Sequence, residues 1–572
     1  MILNNLKLSE DIKRKLYNHG SLKNVEFLVS KSGVETIKKN NILIHSLYDP
    51  IKEAEVIVSQ LNIRDTSNYL FVLLGVGLGY HLKILKERYP GSVILPIEID
   101  DDIALAFIQK NDDFIVTNFN FNDIYTILNF VDFAVIKDIK FVYLSSVYRI
   151  YKDRYDRIVD NIKKIVESKF TDLLTRINFD KLWVKNALLN LPYVLKYGSL
   201  TENVVRNSFK NFLGKPFVVL GAGYSAKFLL DVLRKYREKY VLCVVDTALK
   251  SLLCYGISPD FVFSLDSQFA NLKDFFGVRS DDFTLLADIV VSPELIRNFK
   301  GKVFITKSSH VEVLGGIVYE MTNSVVSWLE NIMGYSLLGL ESGGSVSTNL
   351  FHFALLMGGD PVFLIGVDLG FPYLVSHIQG SPSHEYFTIS GNVFKTGDSY
   401  FVSSILRDYI LLKGIKNNEC VSHKVMETYK VWFDSASDTS NLKNVYNISD
   451  GVEIKGIVNM TTYEGEKFLS SVLSNKLNLD RKINISYDVH SVNVNQVYYR
   501  LSNLKKDVID VVNNFSKNSV DMIIKSYPFV LNVLSKSLFG FFRGQKDFLE
   551  CKEDIILDLK YLVKVLNNIG IT

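Results

Sequence analysis

Three stretches of this chain combine residue types that could grip a phosphate and help break a bond to it. The first is FVVLGAGYSAKFLLDVL. Its apolar run ends at Gly221. Gly223 would let the backbone turn tightly and approach a ligand, and Ser225 falls where a helix should begin. The free N–H groups and the positive end of that helix would then face an anion. The spacing is G-x-G-x-S rather than the full dinucleotide fingerprint G-x-G-x-x-G, and it would equally suit a tight strand-to-helix turn with no ligand.

The second stretch is VLCVVDTALKSLLCYGISPDFVFSLDSQ. Asp246 ends one apolar run, followed by Thr247, and Asp266 ends the next. In an open parallel sheet the carboxyl ends of the strands face the ligand crevice. Acids placed there can bind ribose hydroxyls, a base or a metal-bound phosphate. Asp246 could also serve only as a helix N-cap, because TALKSLL follows it directly.

The third stretch is ESGGSVSTNLFHFALLMGGDPVFLIGVDLGFP. Gly343, Gly344 and Ser345 precede a helix whose apolar face includes Val346, Leu350, Phe353 and Met357, which predicts a second anion site at a helix N-terminus. The next strand ends at Asp368, with His377 and Gly380 beyond it. A His within reach of a strand-end Asp could act as a general base; His377 could instead be a surface loop residue. His352, inside the helix, suits packing. Asp246, Asp266 and Asp368 could share a divalent ion if their strand ends converge. There is no H-E-x-x-H, no Walker loop and no G-x-S-x-G elbow.

These residues need a scaffold, and at 572 residues the chain has room for about three or four domains. Strand signals at Phe217–Leu220, Val241–Val245, Phe261–Leu265, Thr284–Ala287, Val303–Thr306 and Val362–Gly366 alternate with helical stretches. That pattern predicts an α/β, doubly wound Rossmann-like domain over 166–465. Upstream, FVLLGVGLGYHLKILKERYPGSVILPIEID carries an apolar run (Phe71–Leu74), glycines 75, 77 and 79, a helical stretch and a second run ending at Glu98. It predicts an N-terminal Rossmann-like domain over 1–165. GVGLGY with Glu98 about 20 residues on also resembles a methyltransferase nucleoside site, although a structural or regulatory module fits as well. After about residue 485, Val497, Leu501, Leu504, Val508 and Val511, and later Ile555, Leu559, Leu562 and Leu566, recur at helical spacing. A C-terminal helical domain over 466–572 is expected, serving packing or a partner.

Apolar residues make up 48% and charged residues 22% of the chain, and 65 basic against 62 acidic side chains leave a charge of +3. That balance argues for no nucleic-acid partner. Cys243, Cys254, Cys420 and Cys551 form no C-x-x-C pair, which excludes a disulfide framework and fits a reducing cytosol. The opening MILNNLKLSEDIKRKLYNHG has no apolar core of signal-peptide type. No apolar stretch reaches the ~18 residues of a membrane span. A cytoplasmic protein is expected.

GAGYSA, VVDTALKSLLCYGISPDFVFSLDSQ and ESGGSVSTNLFHFALLMGGDPVFLIGVDLGFP with a following His and Gly, taken in this order, resemble the central domain of the motility-associated factor (Maf) family of flagellin glycosyltransferases. IHSLYDPIKEAE, LLGVGLGYHL and LWVKNALLNLP extend the likeness over most of the chain. The resemblance implies a central fold similar to bacterial sialyltransferases. It implies transfer of a nonulosonic acid, pseudaminic or legionaminic in type, from its CMP-activated sugar donor to Ser or Thr of flagellin. Gly221, Gly223, Ser225, Asp246, Thr247 and Asp266 would hold the nucleotide, and Gly343, Gly344 and Ser345 would help hold phosphate or sugar carboxylate. Asp368 or His377 would take the proton of the acceptor hydroxyl. Tyr224 departs from the family pattern, where Pro or a small residue is common. Two other readings remain open: a pterin pyrophosphokinase using ATP and Mg²⁺ with the aspartates as metal ligands, and a non-catalytic flagellin-binding assembly protein.

Overall fold

The structure is a computed structural model that describes residues 10–65, 68–119, 123–133, 135–197, 210–279, 282–314, 317–391, 394, 396–440, 442–480, 492–542 and 545–570. Short, mostly apolar runs form its central strands: β7 (Phe217–Leu220), β8 (Val241–Val245), β9 (Phe261–Ser264), β10 (Thr284–Asp288) and β14 (Val362–Ile365). Every residue of these strands is buried. A strand apolar on both faces requires cover on both faces, and this is the environment of a parallel sheet.

The sheet has ten strands. Its remaining members are β11 (Lys302–Leu314), β12 (Ile317–Met321), β13 (Leu338–Glu341), β17 (Val445–Ile448) and β18 (Val458–Met460). The order is β12-β11-β10-β9-β8-β7-β14-β17-β18, with β13 on β11. All pairings are parallel except β11 with β12. The chain steps outward from β7 to β11, then returns to the other side of β7 as β14. The reversal lies between β7 and β14, where Phe217 and Val241 pair on one side and Phe217 and Val362 on the other. Open α/β sheets bind ligands at such a switch point. Each predicted strand is present; β12, β13, β17 and β18 were not expected.

The N-terminal unit has an antiparallel meander, β1 (Val25–Val29), β2 (Glu35–Lys39) and β3 (Ile42–Leu43), and a parallel sheet ordered β5-β4-β6, where β4 is Tyr69–Leu74, β5 Val93–Ile97 and β6 Asp138–Tyr143. The glycine loop after β4 is filled from within. His45 Nε2 accepts the Leu78 N–H at 2.8 Å, and Glu98 Oε2 accepts that of Val76 at 3.0 Å. A Cβ on Gly77 would lie 2.2 Å from His45 Nε2. Tyr155 donates to Glu98 at 3.2 Å, and burial pushes the Glu98 carboxyl up to about 7. Groups that would meet a nucleoside in a methyltransferase here bond to one another, which favours the structural reading of this loop.

A 46-residue helix, Lys152–Tyr197, runs across residue 165. Its first half (Tyr155, Ile158, Ile162, Val166) belongs to the N-terminal core. Its second half (Val184, Leu188, Leu191) shares a core with one face of the large sheet and with the C-terminal helices Val494–Asn513, Lys517–Ser526, Val530–Phe542 and Lys552–Asn568. The buried residues of Val494–Asn513 are the five expected from the sequence. The Thr462–Ser474 helix packs Leu469 and Leu473 into the other face of the sheet. No helix among the described residues is long and apolar enough to cross a membrane.

Candidate functional site

The glycine loop after β7 is shaped by the loop after β14. Gly221 and Gly223 donate to the carbonyls of Ile365 and Gly366, both at 2.8 Å. Gly223 has φ −65°, so its backbone would accept any residue. What excludes a side chain is crowding: a Cβ on Gly221 would meet the Gly366 carbonyl oxygen at 2.5 Å, and one on Gly223 would meet the Asp368 carboxyl at 2.6 Å. The two glycines therefore serve a close approach between two loops across the switch point.

Asp368 fastens that approach. It is 3% exposed. Its Oδ2 accepts the Ser225 N–H at 2.9 Å and its Oδ1 the Ser449 hydroxyl at 2.7 Å. Its own carbonyl accepts Val452 N–H at 2.8 Å, and Gly451 presses against it. Burial pushes the carboxyl up, while the bonds from Ser225 and Ser449 pull the other way. The Ser225 N–H, expected to face an anion, is thus committed to Asp368, and a 3-10 stretch, Tyr224–Leu229, stands where a helix N-terminus was expected. Next door, Asp450 accepts from the Tyr373 hydroxyl and from Thr462 N and Oγ1, both at 2.9 Å, and its N–H donates to Ser225 Oγ at 3.1 Å. Burial raises the Asp450 carboxyl, yet these bonds hold it below the usual range.

On the other side of the loop, the ends of β8 and β9 bring three acids together. Asp246 occupies the first turn of the Asp246–Cys254 helix. Its Oδ1 accepts the Thr247 N–H at 2.8 Å and its Oδ2 the Ser264 hydroxyl at 2.7 Å. Burial, reinforced by Asp266, pushes it up to about 6. Asp266 is half-buried and accepts Gln268 N–H at 2.8 Å. Asp274 closes the 3-10 turn Phe269–Asp274; it is 2% exposed, and its Oδ1 has no hydrogen-bond partner. Burial and the Asp246 charge push it up to about 7, with Lys273 and Lys250 opposing. His377 lies beside the same loop, because Ile378 N–H bonds to Ala222 O at 2.8 Å. Its ring sits 3.0 Å from Ser376 Oγ, and burial, with Lys273 and His384 near, lowers it to about 4.

Gly343, Gly344 and Ser345 stand at the end of β13, with β10 and β11 between them and β9. Gly343 N–H donates to Thr348 Oγ1 at 2.8 Å and Gly344 N–H to Ser342 Oγ at 3.3 Å. The Ser345 and Ser347 hydroxyls pair at 2.9 Å, and the Lys424–Ser440 helix lays Trp432 and Tyr429 against the two glycines. His352 accepts the Glu341 N–H at 3.1 Å, in keeping with packing. Of the four segments expected to meet, those at Gly221, Asp246 and Asp266 occupy three neighbouring strand ends and that at Gly343 lies farther along the rim. The shared ion of Asp246, Asp266 and Asp368 is not supported: both Asp368 oxygens are engaged on the far side of the glycine loop. Among the described residues, no group of three or more His, Cys, Asp or Glu is placed to hold a metal ion.

Several rim residues escaped the sequence reading. Asn186 Nδ2 donates to Ser267 O and Val290 O, both at 2.9 Å, and Asn190 Nδ2 to Ile289 O and Val291 O at 2.8 and 2.9 Å. This i, i+4 pair in LWVKNALLNLP pins the loops after β9 and β10 from the long helix, and its spacing was the available signal. Replacing Asn190 by Ala is expected to cost about 2 kcal/mol, because two buried carbonyls lose their donor; urea unfolding measures it. Asp450 carried the strand-end signal used for Asp246, but its strand was not recognised. Asp274, Lys250 and Lys273 had no local signal.

The comparisons with known proteins agree with this architecture. Residues 185–373 match the family model described as 6-hydroxymethylpterin diphosphokinase MptE-like. An uncharacterized protein of Treponema pallidum (strain Nichols) is 24% identical over 359 residues, 60% of this chain and 59% of that protein. A second uncharacterized protein of the same organism is 31% identical over 106 residues, 18% of this chain and 46% of that protein. The chain thus spans about half to three fifths of the length of these curated relatives. Among solved structures, a Maf glycosyltransferase from Magnetospirillum magneticum AMB-1 aligns with a TM-score of 0.52 at 15% identity, over 97% of this chain and 92% of that one. At that identity the likeness is one of fold, and it runs nearly end to end.

Proposed function

We propose, from this Maf-like fold, that the chain is a glycosyltransferase that moves a nonulosonic acid from its CMP donor to Ser or Thr of flagellin in the cytoplasm. The observation that carries the reading is the rim itself. A glycine loop at the switch point of a parallel sheet stands beside Asp246, Asp266 and Asp274, with Lys250, Lys273 and His377 around them. The sugar and the acceptor rest on the sequence resemblance.

In this reading the nucleotide lies over the ends of β8 and β9. Asp266, with Thr247, takes ribose hydroxyls. Lys250 and Lys273 neutralise the phosphate as it leaves. The bond from the anomeric carbon to the phosphate oxygen breaks, CMP departs with the electron pair, and the acceptor oxygen bonds to that carbon. The acceptor proton passes to Asp274, whose pKa near 7 suits a base working at neutral pH. His377, neutral at that pH, orients the hydroxyl by hydrogen bonding. Asp368, with both oxygens engaged, positions the glycine loop.

The match to a diphosphokinase family supports a second reading, in which the same rim takes ATP and Mg²⁺. That match covers only 185–373, and among the described residues no three acids form a metal-holding group. Calorimetry separates the two: saturable heat with CMP is expected. Heat with ATP and Mg²⁺ but none with CMP would replace the transferase reading by the kinase one. Intact-mass analysis of flagellin from cells with and without the protein tests the acceptor. Flagellin that co-purifies without a mass increment would favour the assembly role.

A further inference from the structure

The segment between β14 and β17 carries a two-stranded antiparallel hairpin, β15 (Tyr409–Lys413) and β16 (Glu419–His423). The β16 edge is covered: Val421 O accepts the Phe371 N–H, and Ser422 Oγ donates to Leu369 O, both at 2.7 Å. The hairpin thus flanks the stretch that leads from Asp368 toward His377.

The other edge is that of β15, and the register fixes which of its groups face outward. Gly414 N–H donates to Asn418 O at 3.2 Å. Opposite residues of an antiparallel pair alternate between bonded and non-bonded, so Leu412 with Cys420 and Ile410 with Ser422 exchange the hairpin's hydrogen bonds. Tyr409, Leu411 and Lys413 are left with N–H and C=O groups that point away from β16. The chain itself closes the far end of this edge, where Glu453 N–H donates to Lys413 O at 3.0 Å and Ile415 N–H to Gly451 O at 2.8 Å. The backbone groups of Tyr409 and Leu411 have no hydrogen-bond partner among the described residues. Their side chains share one face and are 51% and 49% exposed. No Pro or charged residue interrupts Tyr409–Leu412, so the usual guards against strand addition are missing here.

The occupant follows from how short the open stretch is. A long foreign strand would run into Glu453. A second copy of this chain, related by a two-fold axis through Ile410, sets Tyr409 opposite Leu411 of the other copy, and each such pair exchanges both of its hydrogen bonds. Every open group is then used. Aromatic and aliphatic side chains face one another across the seam. Beyond it the chain bends at Arg407 and Asp408, both exposed and without an ion-pair partner among the described residues. The same axis carries these two charges to Lys413 and Glu453 of the second copy, which bond to each other at 2.6 Å. One charge of each sign meets one of each sign, so the ends of the seam are complementary as well.

We propose that this edge is an interface between two copies of the chain, paired antiparallel about Ile410, with Arg407 of each copy against Glu453 of the other. The interface is independent of the transferase reading. By stiffening the hairpin, it steadies Leu369–Phe371 beside each rim. A seam this short belongs to the weak, transient class, with dissociation on the order of 10 μM.

Sedimentation velocity on the full chain, from ~1 to ~100 μM, is expected to show a monomer converting to a dimer. Leu411→Pro removes one outward N–H from each copy and spares the ladder with β16, so it should weaken the dimer about thirtyfold, the scale of two hydrogen bonds. Arg407→Glu and Glu453→Arg should each weaken it about tenfold. An equimolar mixture of those two variants should regain the native association, because the mixed pair restores both charge contacts. Circular dichroism checks folding; should Leu411→Pro misfold, Arg407→Glu carries the test, since Arg407 is exposed. A chain that stays monomeric throughout, including one that captures an extended peptide instead, overturns the proposal. So does a dimer untouched by folded Leu411→Pro or by Arg407→Glu, or a mixture that associates no better than either variant alone.

Discussion

Replacing Asp368 by Ala is expected to lower the unfolding free energy by about 3 kcal/mol, whereas Asn should cost less than about 1 kcal/mol. Alanine strands the Ser225 N–H and the Ser449 hydroxyl in a buried place, and empties the space against Gly223. Asparagine can keep both bonds, since its oxygen accepts from Ser225 while its amide donates to Ser449 Oγ. The native carboxyl is pushed up by burial, so removing its charge offsets part of the change. Urea unfolding gives both numbers. The comparison also separates roles, because a folded Asp368→Asn protein that still transfers sugar leaves Asp368 a positioning residue. A folded variant with no turnover would make it the base.

Asp274→Asn should do the reverse: stabilise the protein and disable it. The folded carboxyl titrates at about 7, against an unfolded value near 3.9. The folded state therefore binds the proton more tightly. The stability from this group is complete below about pH 4 and is lost as pH rises through 7. At pH 8 the charged, buried carboxylate opposes folding, and Asn is expected to add about 2 kcal/mol. His377 works in the other direction. Its lowered value of about 4 means that its contribution is present above about 6.5 and lost as pH falls toward 4. Melting temperature between pH 5 and 8 should thus fall with pH less steeply in Asp274→Asn than in the native chain. Transfer should drop by about a hundredfold, the scale of one lost general base. A variant that is less stable at pH 8, or as active as the native protein, removes Asp274 from the mechanism.

Legibility in the sequence followed burial. Val241–Val245 and Val362–Ile365 are wholly apolar and buried on both faces, so composition alone marks them. β13, Leu338–Glu341, alternates buried and half-exposed residues, and β17 contains Asn447, fully buried and bonded to Asn459 at 3.0 Å. Neither looks like a core strand until its neighbours are known. The C-terminal helices were legible because their apolar residues repeat at helical steps. That they would share a core with the sheet was not, since an amphipathic face does not name its partner.

By itself the sequence determined the class of the fold, the positions of six of the ten strands in the large sheet and the three strand ends at Gly221, Asp246 and Asp266, because these depend on patterns within a few residues. The tertiary structure alone decided what those residues touch. It set Ser225 against Asp368, 143 positions away, and Asp450 against Ser225, 225 positions away. It placed two glycines expected at a ligand in a junction between loops, and it brought Asp274 beside Asp246. Hydrogen bonding and pKa depend on what lies within a few ångströms in space, and chain order says little about that once a sheet reverses its winding.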